Sequence, residues 1–120
     1  MDRASEFKSS ETGGLVRLPV AAVEADGWQP GPPAYRVVLG AIRDINGTHG
    51  VVGNVRSTVI QFADGTIDDG STVEPPSIHV YIEQGYALTA AQTRDLAQLL
   101  DAAAVEVELM SSGDGRVSTP

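Results

Sequence analysis

Few residues of this chain have side chains able to do chemistry. The densest group is Asp64, Asp68 and Asp69, set among Gly65 and Gly70 in a polar stretch. Closely spaced carboxylates in a glycine-containing loop are the ligand type that Ca²⁺ and Mg²⁺ take. The spacing does not follow the EF-hand. With Asp64 in the first position, the glycine falls one place late and Pro75 takes the twelfth. The competing reading is a turn in which each Asp accepts hydrogen bonds from its own backbone. The two histidines can titrate near neutrality. His49 lies in a glycine loop with Asp44 as a candidate neighbour across a hairpin, and His79 lies on a strand with Glu83 on the same face. General acid–base work needs such partners at hydrogen-bond distance. Gly47, Gly50 and Gly53 form neither a dinucleotide fingerprint nor a P-loop, and no Ser sits in a Gly-x-Ser-x-Gly elbow. There is no cysteine, which excludes a thiol nucleophile, a disulfide and thiolate-bound zinc.

The element that must position these residues is a C-terminal helix. Thr89 and Gln92 read as a capping box, and Leu96, Leu99, Leu100, Ala103 and Val107 recur as an apolar stripe. Residues 105–109 also alternate with period two, so a terminal strand is the alternative; the absence of a turn residue before Gly113 favours helix to about Leu109. Upstream the chain is rich in strand signals. Residues 15–20 read as a short edge strand ending at Pro19, and the cluster Pro30-Gly31-Pro32-Pro33 forces an extended connection. Trp28, just before it, is expected to pack against the core. Residues 35–45 read as a strand with a bulge at Gly40, Tyr35, Val37, Leu39 and Ala41 pointing one way and Val38 and Ile42 the other. Asn46-Gly47 is a hairpin signal. Residues 51–63 return as a long strand with a break expected at Gly53-Asn54, and Asp64-Gly65 turns the chain again. In residues 77–83, Ile78, Val80 and Ile82 alternate with His79, Tyr81 and Glu83, placing the first three towards the core.

These elements predict an α+β fold: a mostly antiparallel β-meander of about four strands with one C-terminal helix packed on one face. One domain spans residues 15–110, between a polar arm (1–14) and a polar tail (111–120), both expected to be disordered. The net charge of −8 disfavours direct contact with a phosphate backbone. No apolar run approaches a membrane span and no signal sequence opens the chain, so a cytoplasmic protein is expected.

Residues 77–104 resemble the C-terminal end of small actinobacterial and phage-associated domains of unknown function. The likeness is carried by Ile78-x-Val80-x-Ile82, Leu88-Thr89 and Arg94-x-Leu96-Ala97-x-x-Leu100. It implies a strand followed by a helix and a bacterial or phage source. It implies no activity, cofactor or metal.

A single helix does not cover both faces of a sheet that carries apolar residues on each. The leading expectation is therefore a non-enzymatic protein-interaction module or self-associating domain, a homodimer being one form. It would work through His79 and Tyr81, with Val38 and Ile42 if their face stays open. An enzyme or metal-binding domain using Asp64, Asp68, Asp69 and His49 is the alternative, and would bring them together in a cleft. An acidic decoy of a nucleic-acid-binding protein is a third, and would align carboxylates at phosphate-like spacing. No catalytic residue, cofactor or membrane contact is assigned.

Overall fold

The computed structural model describes residues 16–113. Its elements in chain order are β1 (Glu24–Ala25), β2 (Tyr35–Leu39), β3 (Arg43–Gly47), β4 (Gly50–Phe62), β5 (Ser77–Ile82) and α1 (Ala90–Gly113). Every strand pair is antiparallel. The 13-residue β4 is the spine. Thr58 opposes both Leu39 and Ser77, and Val55 opposes both Arg43 and Val80. A residue with two opposite partners has one on each side, so β2 and β3 lie end to end along one edge of β4 and β5 lies along the other. β1 adds to the outer edge of β2. The helix packs on β3, β4 and β5. This is the expected α+β layout: an antiparallel sheet with one C-terminal helix.

The break between β2 and β3 falls at Gly40, Ala41 and Ile42. It has a packing cause. A Cβ on Gly40 would collide with the Glu106 carboxylate and the Ser57 hydroxyl, so only glycine lets the helix side chain in. Because the break adds a residue, Val38 and Arg43 both face the helix although they are five apart in sequence. Pairing places Val38 beside Val59 and Arg43 beside Val55, and Val55 and Val59 share one face.

The core sits between this face and the helix. Val38, Val59 and Met110 are fully buried together, with Ala22, Ala25, Ile67 and Val107 packed around them. Burying side chains of this size contributes roughly 1.5–3 kcal/mol each. The capping box forms as read. Gln92 N–H donates to Thr89 Oγ1 at 3.1 Å, and Thr89 N–H donates to Gln92 Oε1 at 2.9 Å. Residues 105–109 are helical, and the helix continues to Gly113, past the expected start of the tail at 111. The arm at 1–14 and the tail beyond 113 lie outside the described residues.

Three local expectations are corrected. Residues 16–20 form no strand: Ala22 N–H donates to Pro19 C=O in a turn that puts Ala21 at a φ of 75°, and sheet pairing starts only at Glu24. The first hairpin turns at Thr48 and His49, with Gly47 opposite Gly50; Asn46-Gly47 belongs to β3, and Gly50 carries the positive φ. The expected break at Gly53-Asn54 lies one place earlier: Ile45 pairs with Gly53 and Asn46 with Val51, so the extra residue on β4 is Val52. Gly53 sits inside β4, where a Cβ would meet the backbone of Tyr81 and Ile82.

Candidate interaction surface

The aspartates of the 64–74 loop serve the loop itself. Asp68 is buried, and its carboxylate accepts backbone N–H bonds from Gly70, Thr72, Val73 and Glu74 at 2.6–3.3 Å. Burial pushes its pKa up, but these four donors outweigh burial and hold it below the usual carboxylate range. Asp64 accepts from the amide and hydroxyl of Thr66, and Asp69 from the amide of Ser71. Hydrogen bonds from Ser71 likewise hold the Asp69 carboxyl low. These are Asx turns in which the backbone takes the oxygens a cation would need. Among the described residues, no group of three His, Cys, Asp or Glu side chains is arranged to hold a metal ion. The loop and His49 also lie apart. His49 precedes β4 and Asp64 follows it. Thirteen residues of strand at about 3.3 Å each separate them by roughly 40 Å. The cleft expected for a metal-dependent site using Asp64, Asp68, Asp69 and His49 is therefore not formed.

His49 instead lines a hollow of about 460 Å³ at the hairpin end, shared with Glu83 and Tyr86. Its expected neighbour Asp44 lies opposite Asn54, well back along the hairpin. Tyr86 is held from the helix, Gln92 Nε2 donating to its phenol oxygen at 2.9 Å and to Asn46 C=O at 3.1 Å. Neither the imidazole of His49 nor the carboxylate of Glu83 has an orienting hydrogen bond among the described residues. A general base needs that orientation.

Two further polar groups with shifted pKa values, Glu106 and Arg36, are buried ones that the sequence does not single out. Glu106, one helical turn beyond Ala103, lies on the buried stripe. It accepts hydrogen bonds from Arg43 Nη1 at 2.9 Å, from the Ala41 amide at 3.3 Å and from the Ser57 hydroxyl. Burial raises its pKa, and the Arg43, Ser57 and Ala41 donors lower it further than burial raises it. At the other end of the same face, Arg36 lies over the buried Trp28 ring, 4.6 Å from its centroid. Arg36 donates to Gln61 Oε1 and to Val16 C=O, both at 2.9 Å. Desolvation lowers the Arg36 pKa. Both clusters sit under covering elements and clamp the helix and the N-terminal segment to the sheet. Trp28 packs as expected.

The helix-free face is different. Ladder pairing puts Asp44, Asn54 and Tyr81 in one row and Arg56 beside His79 in the next, all on the face opposite Val55 and Val59. Tyr81 is 57% exposed and His79 is exposed. Ile42, next to helix-facing Arg43, is 54% exposed. His79 Nε2 reaches Thr58 Oγ1 at 3.2 Å, and no hydrogen bond to Glu83 accompanies it among the described residues. Val38 does not belong to this surface. It is fully buried under Met110 on the helix side, because the break at Gly40 turns Val38 and Ile42 to opposite faces. Of the four residues expected at an interaction surface, His79, Tyr81 and Ile42 are exposed and Val38 is core.

β5 forms the margin of this surface. Its residues Ile78, Val80 and Ile82 pair beside Ser57, Val55 and Gly53 and so face the helix side as expected. Val80 is nonetheless 48% exposed, because the helix lies over β4 and reaches the edge strand only in part. No helix among the described residues is long and apolar enough to cross a membrane. Comparison with family models, with curated proteins and with solved structures gave no match, so the likeness read in residues 77–104 brings no relative with it.

Proposed function

We propose that this chain is a non-enzymatic protein-interaction module that associates with itself. The observation that carries the reading is the open part of the sheet face away from the helix: Ile60 and Thr58 on that face are buried, but the part around β5 is not. The helix and the N-terminal segment pack on one face, while Tyr81, His79 and Ile42 stand exposed on the other, and Val80 of the same edge strand as Tyr81 and His79 is also half-exposed. Exposed apolar groups on a strand with an open outer edge are the usual ingredients of an association surface. The perturbed carboxylates give no support to the enzymatic alternative. Asp68 and Glu106 are held by structural donors, and His49 has no orienting partner. The test is the mass of the full chain by sedimentation velocity from 1 to 200 µM. A dimer that populates with concentration supports the reading, and a strict monomer at 200 µM overturns it.

A further inference from the structure

We infer that two copies join through their β5 strands, paired antiparallel about a two-fold axis at Val80, so that the two sheets run on as one. This rests on the self-association reading above and names its contact.

The backbone directions along β5 carry the first part. Glu83 N–H donates to Val52 C=O, and Asp68 N–H donates to Ile60 C=O, so even-numbered residues of β4 direct their polar groups towards β5. Gly40 N–H donates to Ser57 C=O on the opposite side, as the alternation requires. Ladder partners of Asn54, Arg56 and Thr58 on β5 are Tyr81, His79 and Ser77. Odd-numbered β5 residues are therefore bonded to β4. The N–H and C=O groups of Ile78, Val80 and Ile82 point out of the sheet, and none has a partner among the described residues. An edge of this kind is a template for another strand.

The sequence of the edge carries the second part. Proteins that stay monomeric blunt such edges with a charge, a proline or a bulge. Ser77–Ile82 has none of these: it reads Ser-Ile-His-Val-Tyr-Ile, and its register with β4 is unbroken over six pairs. In a chain of net charge −8, contact between copies falls most easily on an uncharged strip. A symmetric antiparallel pair must also oppose residues whose side chains lie on the same face, so the two residue numbers sum to an even number. Centring on Val80 opposes Val80 to Val80, Ile78 to Ile82 and His79 to Tyr81. All three outward residues of each copy then exchange both hydrogen bonds, six in total by this pairing. Centring one residue earlier would set Ile82 against Pro76, which has no N–H to give. The Val80 register puts apolar side chains together on the helix face and joins the exposed Tyr81 to His79 on the other. It stacks no like charges.

The chain lacks cysteine, so single cysteines report the register in the full-length protein. Directly opposed residues in a hydrogen-bonded pair have Cα atoms about 5.5 Å apart, within the range of about 4.4–6.8 Å that a disulfide spans. Val80→Cys is expected to cross-link into a covalent dimer under mild oxidation. Ser77→Cys, whose two copies would lie roughly 20 Å apart, is expected not to. Val80→Lys, at a half-exposed position that tolerates the change in the monomer, is expected to weaken association at least tenfold in sedimentation. Equal cross-linking at 77 and 80, or a Val80→Lys chain that dimerises like the parent, would overturn the edge contact while leaving self-association standing. A parent chain that is monomeric throughout would overturn the self-association reading itself.

Discussion

Glu106→Ala tests how the helix is held to the sheet. The carboxylate binds three donors, from Arg43, the Ala41 amide and Ser57, and it occupies the space that Gly40 leaves by lacking a side chain. The Arg43 side chain is 23% exposed, so water can reach the guanidinium once its partner is gone, which moderates the cost of breaking the ion pair. Ser57 has no such recourse, being fully buried. A stranded hydroxyl and a stranded amide cost about 1–3 kcal/mol each. The expected destabilisation is about 3–4 kcal/mol, a large share of the roughly 5–15 kcal/mol that holds a small domain together. Equilibrium urea unfolding measures it. With a slope of about 1–2 kcal/mol per molar, the midpoint should fall by roughly 1.5–4 M. Glu106→Gln, which keeps an oxygen acceptor for the Ser57 hydroxyl and the Ala41 amide, should cost less than Glu106→Ala. A Glu106→Ala midpoint within about 0.5 M of the parent would refute this account of how the helix is anchored.

Three further outcomes follow from the same geometry. The native pKa values of Glu106 and Asp68 lie below ordinary carboxylate values, so the unfolded chain binds protons first on acidification. Stability from these groups is full above the unfolded values of about 4.3 and 3.9 and is lost as pH falls through the depressed native ones. Urea midpoints from pH 7 to pH 3 should show this acid limb, and Glu106→Gln should flatten it. Asp68→Ala leaves the amides of Gly70, Thr72, Val73 and Glu74 without their acceptor. It should cost about 2 kcal/mol and speed hydrogen exchange at those four amides, with unchanged exchange refuting the loop assignment. Because the loop's own backbone takes the oxygens of Asp64, Asp68 and Asp69, 10 mM Ca²⁺ or Mg²⁺ should move the melting temperature by less than about 1 °C. A rise of several degrees, abolished by Asp69→Asn, would show a cation site instead.

Local signals in the sequence carried most of the fold. Thr89 and Gln92 bond as a capping box because both partners lie within one turn, and the alternation of residues 78–82 survives because the sheet needs it. What the sequence hid was non-local. Glu106 looks like any solvent-facing acid on a helix until Arg43, 63 residues earlier, is folded beside it. Its one local sign was its place on the stripe running from Ala103 to Met110. Arg36 and Gln61 are hidden in the same way, each buried by pairing with the other across β2 and β4. Strand alternation carried straight through Gly40 puts Val38 on the face of Ile42, whereas the inserted residue reverses the faces there. The aspartate loop was legible as either a cation site or a set of Asx turns, and the hydrogen bonds favour the turns. At the candidate surface, the alternation of β5 placed His79 and Tyr81 correctly on the face away from the helix.

The most direct test of self-association through β5 is amide hydrogen exchange of the full chain at 5 µM and 500 µM. The amides of His79, Tyr81 and Glu83 point into β4 and should be protected at both concentrations. Those of Ile78, Val80 and Ile82 point outwards and should exchange fast in the dilute sample and slowly in the concentrated one. Fast exchange of these three amides at both concentrations would contradict the edge contact.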